Sequence, residues 1–293
     1  MTLAIRKILQ SGPGLAAAPG IAWLAVFMIA PCLLVFAYAF LTRGLYGGVV
    51  DELTLDNLLR VLDPLYAGIF LTSTRIAGLA TLLAVLIAYP AAYAIVLSPR
   101  HWQPLLLFLA VLPFWSNYLI RTYAWIVLLN REGMVNQGLT LLGYEGEPLS
   151  LLYSEGAVVV GLVYNYLPFV ILAIYSTLSR LDPQLKEASR DLGASAATTF
   201  VKVTLPLSAP GVAAGAVFVF VLSIGNFITP ALLGGGRFQM VGNLIYDQFL
   251  TANDWPFGAA LGMALILVMM ALLFLQARVT DKVSGGRVGA GNA

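Results

Sequence analysis

Residues 186–211 read KEASRDLGASAATTFVKVTLPLSAPG, and what this stretch faces decides how the whole chain is arranged. Five charged residues (Lys186, Glu187, Arg190, Asp191 and Lys202) fall within it, although only 10% of the chain is charged and 60% is hydrophobic. So concentrated a set of charges has to meet water or a protein surface. The sequence on either side tells which elements carry it there.

Outward from this stretch the chain is apolar, with a mean hydropathy of +0.88. Six runs stand out, at roughly 20–41, 71–97, 105–129, 156–178, 211–233 and 257–277. About 20 apolar residues in helical conformation cross the ~30 Å hydrocarbon core of a bilayer. In lipid every backbone N–H and C=O needs a partner within the segment, so such runs are helices. The expected fold is therefore an all-α integral membrane protein of six transmembrane helices joined by polar connectors. Residues 1–19 form an N-terminal segment, 20–278 the six-span domain and 279–293 a tail. Arg6 and Lys7 precede the first run, and Ala37-Tyr38-Ala39 resembles a signal-peptide cleavage site. Signal peptides carry apolar cores of ~7–15 residues, however. The run here is longer and is interrupted by Pro31 and Cys32, so the expectation is a retained span. Cys32 is the single cysteine, which excludes an intrachain disulfide.

Charge gives the orientation. Ten of the 16 Lys and Arg residues lie in the N-terminal segment, the connectors at 98–104 and 179–210, and residues 278–293, with only four of the 14 acids. Positive residues accumulate on the cytoplasmic side. Both termini and residues 186–211 are accordingly expected in the cytoplasm. Trp102, Trp125 and Trp255 fall near span ends, where interfacial anchors belong.

Within the charged stretch, Asp182-Pro183 is a helix start, since Asp accepts from orphan amides and Pro fits the first turn. Leu185, Ala188 and Leu192 then recur at helical spacing on one side, and Gly193 offers a stop. Ser195 caps a second short helix with Ala196, Phe200 and Val203 on one face, which Leu205-Pro206 ends. The reading is an amphipathic helix–Gly–helix hairpin over 182–206. On physical grounds it is either a solvated linker or a docking element for a cytoplasmic partner.

Glu187-Ala188-Ser189, followed after three residues by Gly193, after nine more by Val203 and after one more by Leu205-Pro206, resembles the EAA motif of ABC-importer permeases. Ser189 and Val203 are departures from its Ala and Ile. The segments FLTRG (40–44), TLDNLLRVLDPLY (54–66), RHWQPLLLFLAVLPFWSNYLIRTYAW (100–125), EASRDLGAS (187–195) and VGNLIYDQFLTANDWPFGAA (241–260) are similar to the first permease subunit of spermidine/putrescine-type importers. Permeases for iron(III), opines and aminophosphonates share parts of these strings and remain alternatives. The resemblance implies the type I importer permease fold. It makes the hairpin a coupling helix seated in a separate ATPase, with Glu187, Ala188, Ser189, Asp191, Gly193, Leu205 and Pro206 as coupling residues. It also implies a second permease subunit, an ATPase dimer that binds ATP and Mg, and an external substrate-binding protein. The chain would lie in the bacterial inner membrane, with no nucleic-acid partner.

The sequence offers little to an enzyme. No G-x-x-x-x-G-K-[ST] or G-x-S-x-G string occurs, and His101 is the single histidine. No cofactor or metal is expected on this chain. A secondary transporter is the rival class, but no Asp or Glu lies within an apolar run to serve as a proton relay.

Polar residues inside the runs are the remaining candidates. Arg121 is the outstanding one, since a charge near a span centre costs ~2.5–3.5 kcal/mol on insertion scales. With Asn117 four residues before and Trp125 four after, it forms one face of the third helix. It is either a paired structural arginine or a residue lining or gating a route. Asn165, Ser223 and Asn226 either hydrogen-bond between helices or line that route. Trp115, Tyr118, Tyr164 and Tyr166 offer ring faces to an ammonium, at ~0.5–2 kcal/mol each.

Overall fold

A computed structural model describes residues 12–285. Helix α1 (Gly12–Tyr38) leads into an antiparallel hairpin of β1 (Leu41–Arg43) and β2 (Val49–Leu53), then a short helix α2 (Asp56–Val61). The chain continues through α3 (Pro64–Leu97), α4 (Gln103–Val111) with a 3-10 turn at Leu112–Trp115, α5 (Tyr118–Leu129), α6 (Met134–Leu141) and α7 (Glu155–Leu178). After these come α8 (Pro183–Asp191), α9 (Ala196–Thr199), a π-helical turn at Phe200–Thr204 and α10 (Leu205–Ile224). The last elements are α11 (Ile228–Gly234), α12 (Val241–Leu250) and α13 (Trp255–Gly285).

Among the described residues, five segments are long and apolar enough to cross a membrane: Pro19–Tyr38, Pro64–Leu97, Glu155–Leu178, Ala196–Ile224 and Trp255–Phe274. The count reaches six when a bent pair, Gln103–Trp115 and Tyr118–Leu141, which meet at 87°, is taken as one span. The single straight helix expected over 105–129 is therefore corrected to a broken one. Pro113 has no N–H to continue the ladder, and Ser116 is extended at φ −82°, ψ 153°. Asn117 lies outside α5 as its cap, accepting from the Leu119 amide at 2.8 Å, so it does not share a helix face with Arg121 and Trp125.

The fifth expected run, 211–233, is also corrected. Helix α10 begins before it and stops at Ile224. Asn226 lies in the break before α11, not on a common helix face with Ser223. Nor does Leu205-Pro206 end a helix: α9, the π turn and α10 form one continuous span, Ala196–Ile224. In a regular α-helix the Pro206 ring would clash with the Lys202 carbonyl. The wider turn at Phe200–Thr204 directly before it accommodates the ring. Among the described residues, the β-hairpin is the one exception to the all-helical expectation. Helix α1 already runs through 12–19, and α13 through 279–285; the rest of the expected terminal segments, with Arg6, Lys7 and Arg287, lies outside the described residues.

The chain forms two compact units. The smaller contains residues up to Tyr66 together with 245–266. Its small core is built on Ala39, Ala259 and Ala260, with Val35, Leu58 and Phe249 against them. The organising side chain is Asp254, 1% exposed. It accepts from Arg60 Nη1 at 3.1 Å and from the Phe257 amide at 3.2 Å, and Arg43 approaches at 4.0 Å. Arg60 also lies 3.9 Å above the Phe257 ring. Asn57 donates to the carbonyls of Ala39 and Leu41 at 3.2 and 2.8 Å. These contacts tie the β-hairpin, α2 and the start of α13 together.

The larger unit packs α3, α7 and α10. On α3 the residues Ala80, Ala84, Ala88 and Ala92 are fully buried in a stripe of period four, which permits close helix approach. Opposite stand Leu162, Val170 and Ile174 of α7 and Val219 of α10. The closest approach is between α7 and α10. A Cβ on Gly211 would clash with the Thr177 hydroxyl and stand 2.8 Å from the Ala173 carbonyl oxygen, and one on Gly215 would stand 3.0 Å from Val170 Cγ1. Because a backbone carbonyl cannot swing aside, Gly211→Val should cost about 1–3 kcal/mol of overpacking. Thermal unfolding of the detergent-solubilised protein measures it, and an unchanged midpoint would remove this account of the interface.

Candidate functional site

The charged hairpin forms as its sequence dictates. Asp182 caps α8 by accepting from the Gln184 amide at 3.0 Å, with Pro183 in the first turn. Gly193 takes φ +82°, the left-handed conformation that favours glycine. Its amide donates to Arg190 O at 2.8 Å, and that of Ala194 donates to Ser189 O at 3.1 Å, closing the helix end. Ser195 caps α9 through the Thr198 amide at 3.2 Å. Ser189 and Thr199 join the two arms, hydroxyl to hydroxyl, at 3.0 Å.

The apolar positions of α8 do not pack inward. Leu185 is 46% and Leu192 89% exposed, and Glu187, Ala188 and Asp191 are exposed beside them. Leu205 and Pro206 are exposed at the start of α10. What anchors the hairpin is aromatic. Phe200, in the π turn, meets Tyr89 and Tyr93 of α3 edge-on at 5.8 and 5.4 Å. Lys186 Nζ stands 5.6 Å from the Tyr93 ring, and the Tyr89 hydroxyl bonds Ser208 at 2.9 Å. Sequence reasoning missed Tyr89, Tyr93 and Ser208. The aromatic pair four residues apart in an apolar run was the available signal.

A second set of residues meets where two helices are interrupted. Asn226, in the break after α10, donates through Nδ2 to the hydroxyls of Tyr118 and Tyr166, both at 2.7 Å. Its Oδ1 accepts from the Thr229 amide at 2.9 Å, which caps α11. The Tyr118 hydroxyl bonds Thr229 Oγ1 at 2.5 Å, and the Tyr166 hydroxyl donates to Leu222 O at 3.3 Å. One asparagine thus links α5, α7, α10 and α11. Gly242, at the start of α12, allows this: a Cβ there would stand 2.6 Å from Gly225 O. Beside the node is a pocket of about 300 Å³ lined by Tyr118, Tyr166, Leu222, Asn226, Phe227 and Ile228.

The other sequence candidates scatter around this node. Tyr164 packs edge-on against Trp125 at 5.5 Å, and Trp115 is exposed, edge-on to Phe108 at 5.5 Å. Arg121 is buried, its guanidinium 4.7 Å from the Phe114 ring and 5.8 Å from that of Tyr118. Asn165 and Ser223 are buried. Sequence reasoning named Asn226 but not Thr229, whose role needs the tertiary fold. Asn226→Ala should leave the Thr229 amide without its acceptor and take one of two partners from each tyrosine hydroxyl. At about 1–3 kcal/mol for a buried group left unpaired, the variant should unfold at a clearly lower temperature than wild type, whereas Tyr166→Phe should lose less. Equal stability of Asn226→Ala and wild type would show that the node carries no load.

Comparison with known proteins agrees with this architecture. Residues 103–285 match the family model described as binding-protein-dependent transport system inner membrane component. The chain is 40% identical over 260 residues to the spermidine/putrescine transport system permease protein PotB of Escherichia coli strain K12, covering 89% of this chain and 94% of that one. It is 42% identical over 258 residues to the protein of the same name from Haemophilus influenzae, covering 87% and 90%. Among solved structures, a bacterial ABC transporter involved in the import of the acidic polysaccharide alginate superposes with a TM-score of 0.73 at 16% identity, over 95% of this chain and 99% of that one. The family resemblance carried by residues 187–206 is borne out over most of the chain. The chain belongs to the inner membrane components of binding-protein-dependent transport systems, the multi-pass permeases of ABC importers.

Proposed function

We propose that this permease is the first of two membrane subunits of an ATP-driven importer that carries a polyamine such as spermidine or putrescine. The observation that carries the substrate class is the 40–42% identity, over almost the whole chain, to permeases named for those solutes. Its termini and the α8–α9 hairpin face the cytoplasm, as the excess of Lys and Arg in those connectors supports. Reporter fusions at Gly48, Gly143 and Gly236 should accordingly read external, and fusions at His101 and after the last residue internal.

The hairpin docks on a separate ATPase, which holds ATP and Mg. Its capped helices, exposed Leu185 and Leu192 and flanking charges suit a protein groove better than open solvent. Motion received there reaches α3 through Phe200 against Tyr89 and Tyr93, and reaches α10 directly along the continuous helix. The route passes Trp115, Asn117, Arg121, Tyr164, Asn165, Ser223 and Asn226, alternately open to either side. Tyrosine faces and hydroxyls along it receive ammonium groups. A polyamine delivered by an external binding protein enters when the route opens outward and leaves when it opens inward.

Gly193→Val strains a left-handed corner, and Glu187→Lys reverses a charge on the docking face, where like-charge juxtaposition costs several kcal/mol. Neither lies in a span. Both variants should insert normally, yet lose about tenfold or more of putrescine or spermidine uptake, a fall of roughly 1.4 kcal/mol or more. They should also retain less ATPase on co-purification. Full ATPase retention with full uptake in both variants would reduce the hairpin to a linker.

A further inference from the structure

Two charged side chains are buried among the described residues, and they differ in kind. Asp254, 1% exposed, is neutralised by the arginines that hold it. Arg121, 7% exposed, has no acid within 4.0 Å among the described residues. Its Nε and Nη1 find no hydrogen-bond partner there either. The Phe114 and Tyr118 rings lie 4.7 and 5.8 Å from its guanidinium carbon. Such rings attract a cation without cancelling its charge, and a guanidinium keeps its proton inside a protein. No Asp or Glu lies in any of the apolar runs. Arg121 is thus a permanent positive charge that the surrounding fold leaves uncompensated.

A charge of this kind acts without contact. Coulomb energy falls only as the inverse of distance. At the effective dielectric constant of ~20 that suits a protein interior, it is about four times its value in water, and salt screens a buried charge little. The Tyr118 ring beside Arg121 also lines the pocket of about 300 Å³ next to the Asn226 node, so one ring separates the guanidinium from that pocket. Tyr118 is the first residue of α5 as well, which places the positive end of that helix's dipole at the same pocket. The other lining residues, Tyr166 and Asn226 among them, carry no charge. The pocket is therefore electropositive.

We infer that Arg121 is an electrostatic barrier that keeps inorganic cations from leaking through the permease, an assignment that rests on the reading above that the route passes the Asn226 node. Arginines and the positive ends of half-helices exclude cations from membrane pores by the same field. Because the field needs no contact with the ion, an arginine enclosed by its own chain can supply it. A polyamine meets this field too, but it crosses in a cycle that ATP drives, whereas a leaking ion must surmount the barrier thermally. An arginine paired as Arg60 is with Asp254 would project far less field into the route.

The test uses the assembled transporter in liposomes, without polyamine or ATP. Potassium and chloride fluxes per transporter are measured for wild type, Arg121→Met and Arg121→Lys, relative to protein-free liposomes. Arg121→Met keeps the length and loses the charge. It should pass potassium about tenfold faster than wild type, a barrier lower by about 1.4 kcal/mol, while chloride flux stays level or falls. Arg121→Lys should match wild type for both ions. A packing fault would open the protein to both ions alike, so a parallel rise of potassium and chloride in Arg121→Met overturns the assignment. Wild-type potassium flux in Arg121→Met overturns it as well, and so does a lysine variant that leaks as much as the methionine one. The route is scored separately, with Cys32→Ser as background since Cys32 is the single cysteine. Ile228→Cys, at the pocket, should react with a water-soluble, membrane-impermeant thiol reagent. Labelling together with wild-type potassium flux in Arg121→Met strikes the barrier alone. No labelling, with or without ATP, strikes the route reading and the barrier with it. Since the flux assay contains no polyamine, a transporter that carries another solute leaves its outcome intact.

Discussion

A helix that breaks inside hydrocarbon leaves backbone N–H and C=O groups that lipid cannot satisfy. The larger unit breaks two helices, at Ser116-Asn117 and at Gly225–Phe227, and each break meets this constraint with an asparagine. Asn117 caps α5 and Asn226 caps α11. Asn226 does more, because its amide nitrogen reaches the hydroxyls of Tyr118 and Tyr166 as well. The polar groups exposed by one break are thereby spent on locating the other. Irregular backbone at membrane depth is tolerated where protein buries it or where it lines a cavity, and a pocket of about 300 Å³ opens beside this node. The breaks and this pocket thus share one set of residues, Tyr118, Tyr166 and Asn226.

The same economy shapes the hairpin end of the unit. Pro206 would stop a regular helix, yet α9 and α10 run on as one span because the turn at Phe200–Thr204 is widened. That widened turn carries the ring that Tyr89 and Tyr93 grip. A continuous helix from Ala196 to Ile224 then joins the hairpin at one end to the Asn226 break at the other. No loop interrupts the chain between the second arm of the hairpin and the node.

Much of this was legible in the sequence, for a definite reason. Five of the six spans are runs whose composition alone requires lipid or a buried interior, and the hairpin carries its own caps at Asp182, Ser195 and Gly193. Such signals are local. The misreadings share the opposite property. Ser116-Asn117 looks like a polar pair on a helix face unless the extended backbone is seen. Gly225-Asn226 marks an end only because Thr229, Tyr118 and Tyr166 supply partners from distant positions. Asp254 reads as one more connector acid, though it is the buried centre of the smaller unit. Arg43 and Arg60, which it holds, come about 200 residues earlier in the chain. The turn of the β-hairpin, at Gly47 and Gly48 with φ of +92° and +79°, was visible as glycines but was submerged in a chain read for helical spans. The strings resembling known permeases at 40–44, 54–66 and 241–260 supply this clamp: Arg43, Asn57, Arg60, Asp254 and Phe257 all lie in them.

What the larger unit leaves unfinished is as informative as what it completes. Leu192 stands almost fully exposed at the tip of a charged hairpin, where neither water nor hydrocarbon suits the whole surface. Arg121, Asn165 and Ser223 are buried with polar atoms that find no partner among the described residues. Unpaired buried groups cost about 1–3 kcal/mol each, and charged ones more, so a chain folded to be self-sufficient would have replaced them with apolar residues at little loss. Their presence next to a node otherwise fully hydrogen-bonded cannot be put down to loose packing, because the same helices seat Gly211 and Gly215 against neighbouring backbone and side chains. The larger unit is tight where its helices meet, and its unpaired polar atoms lie inside that same packing.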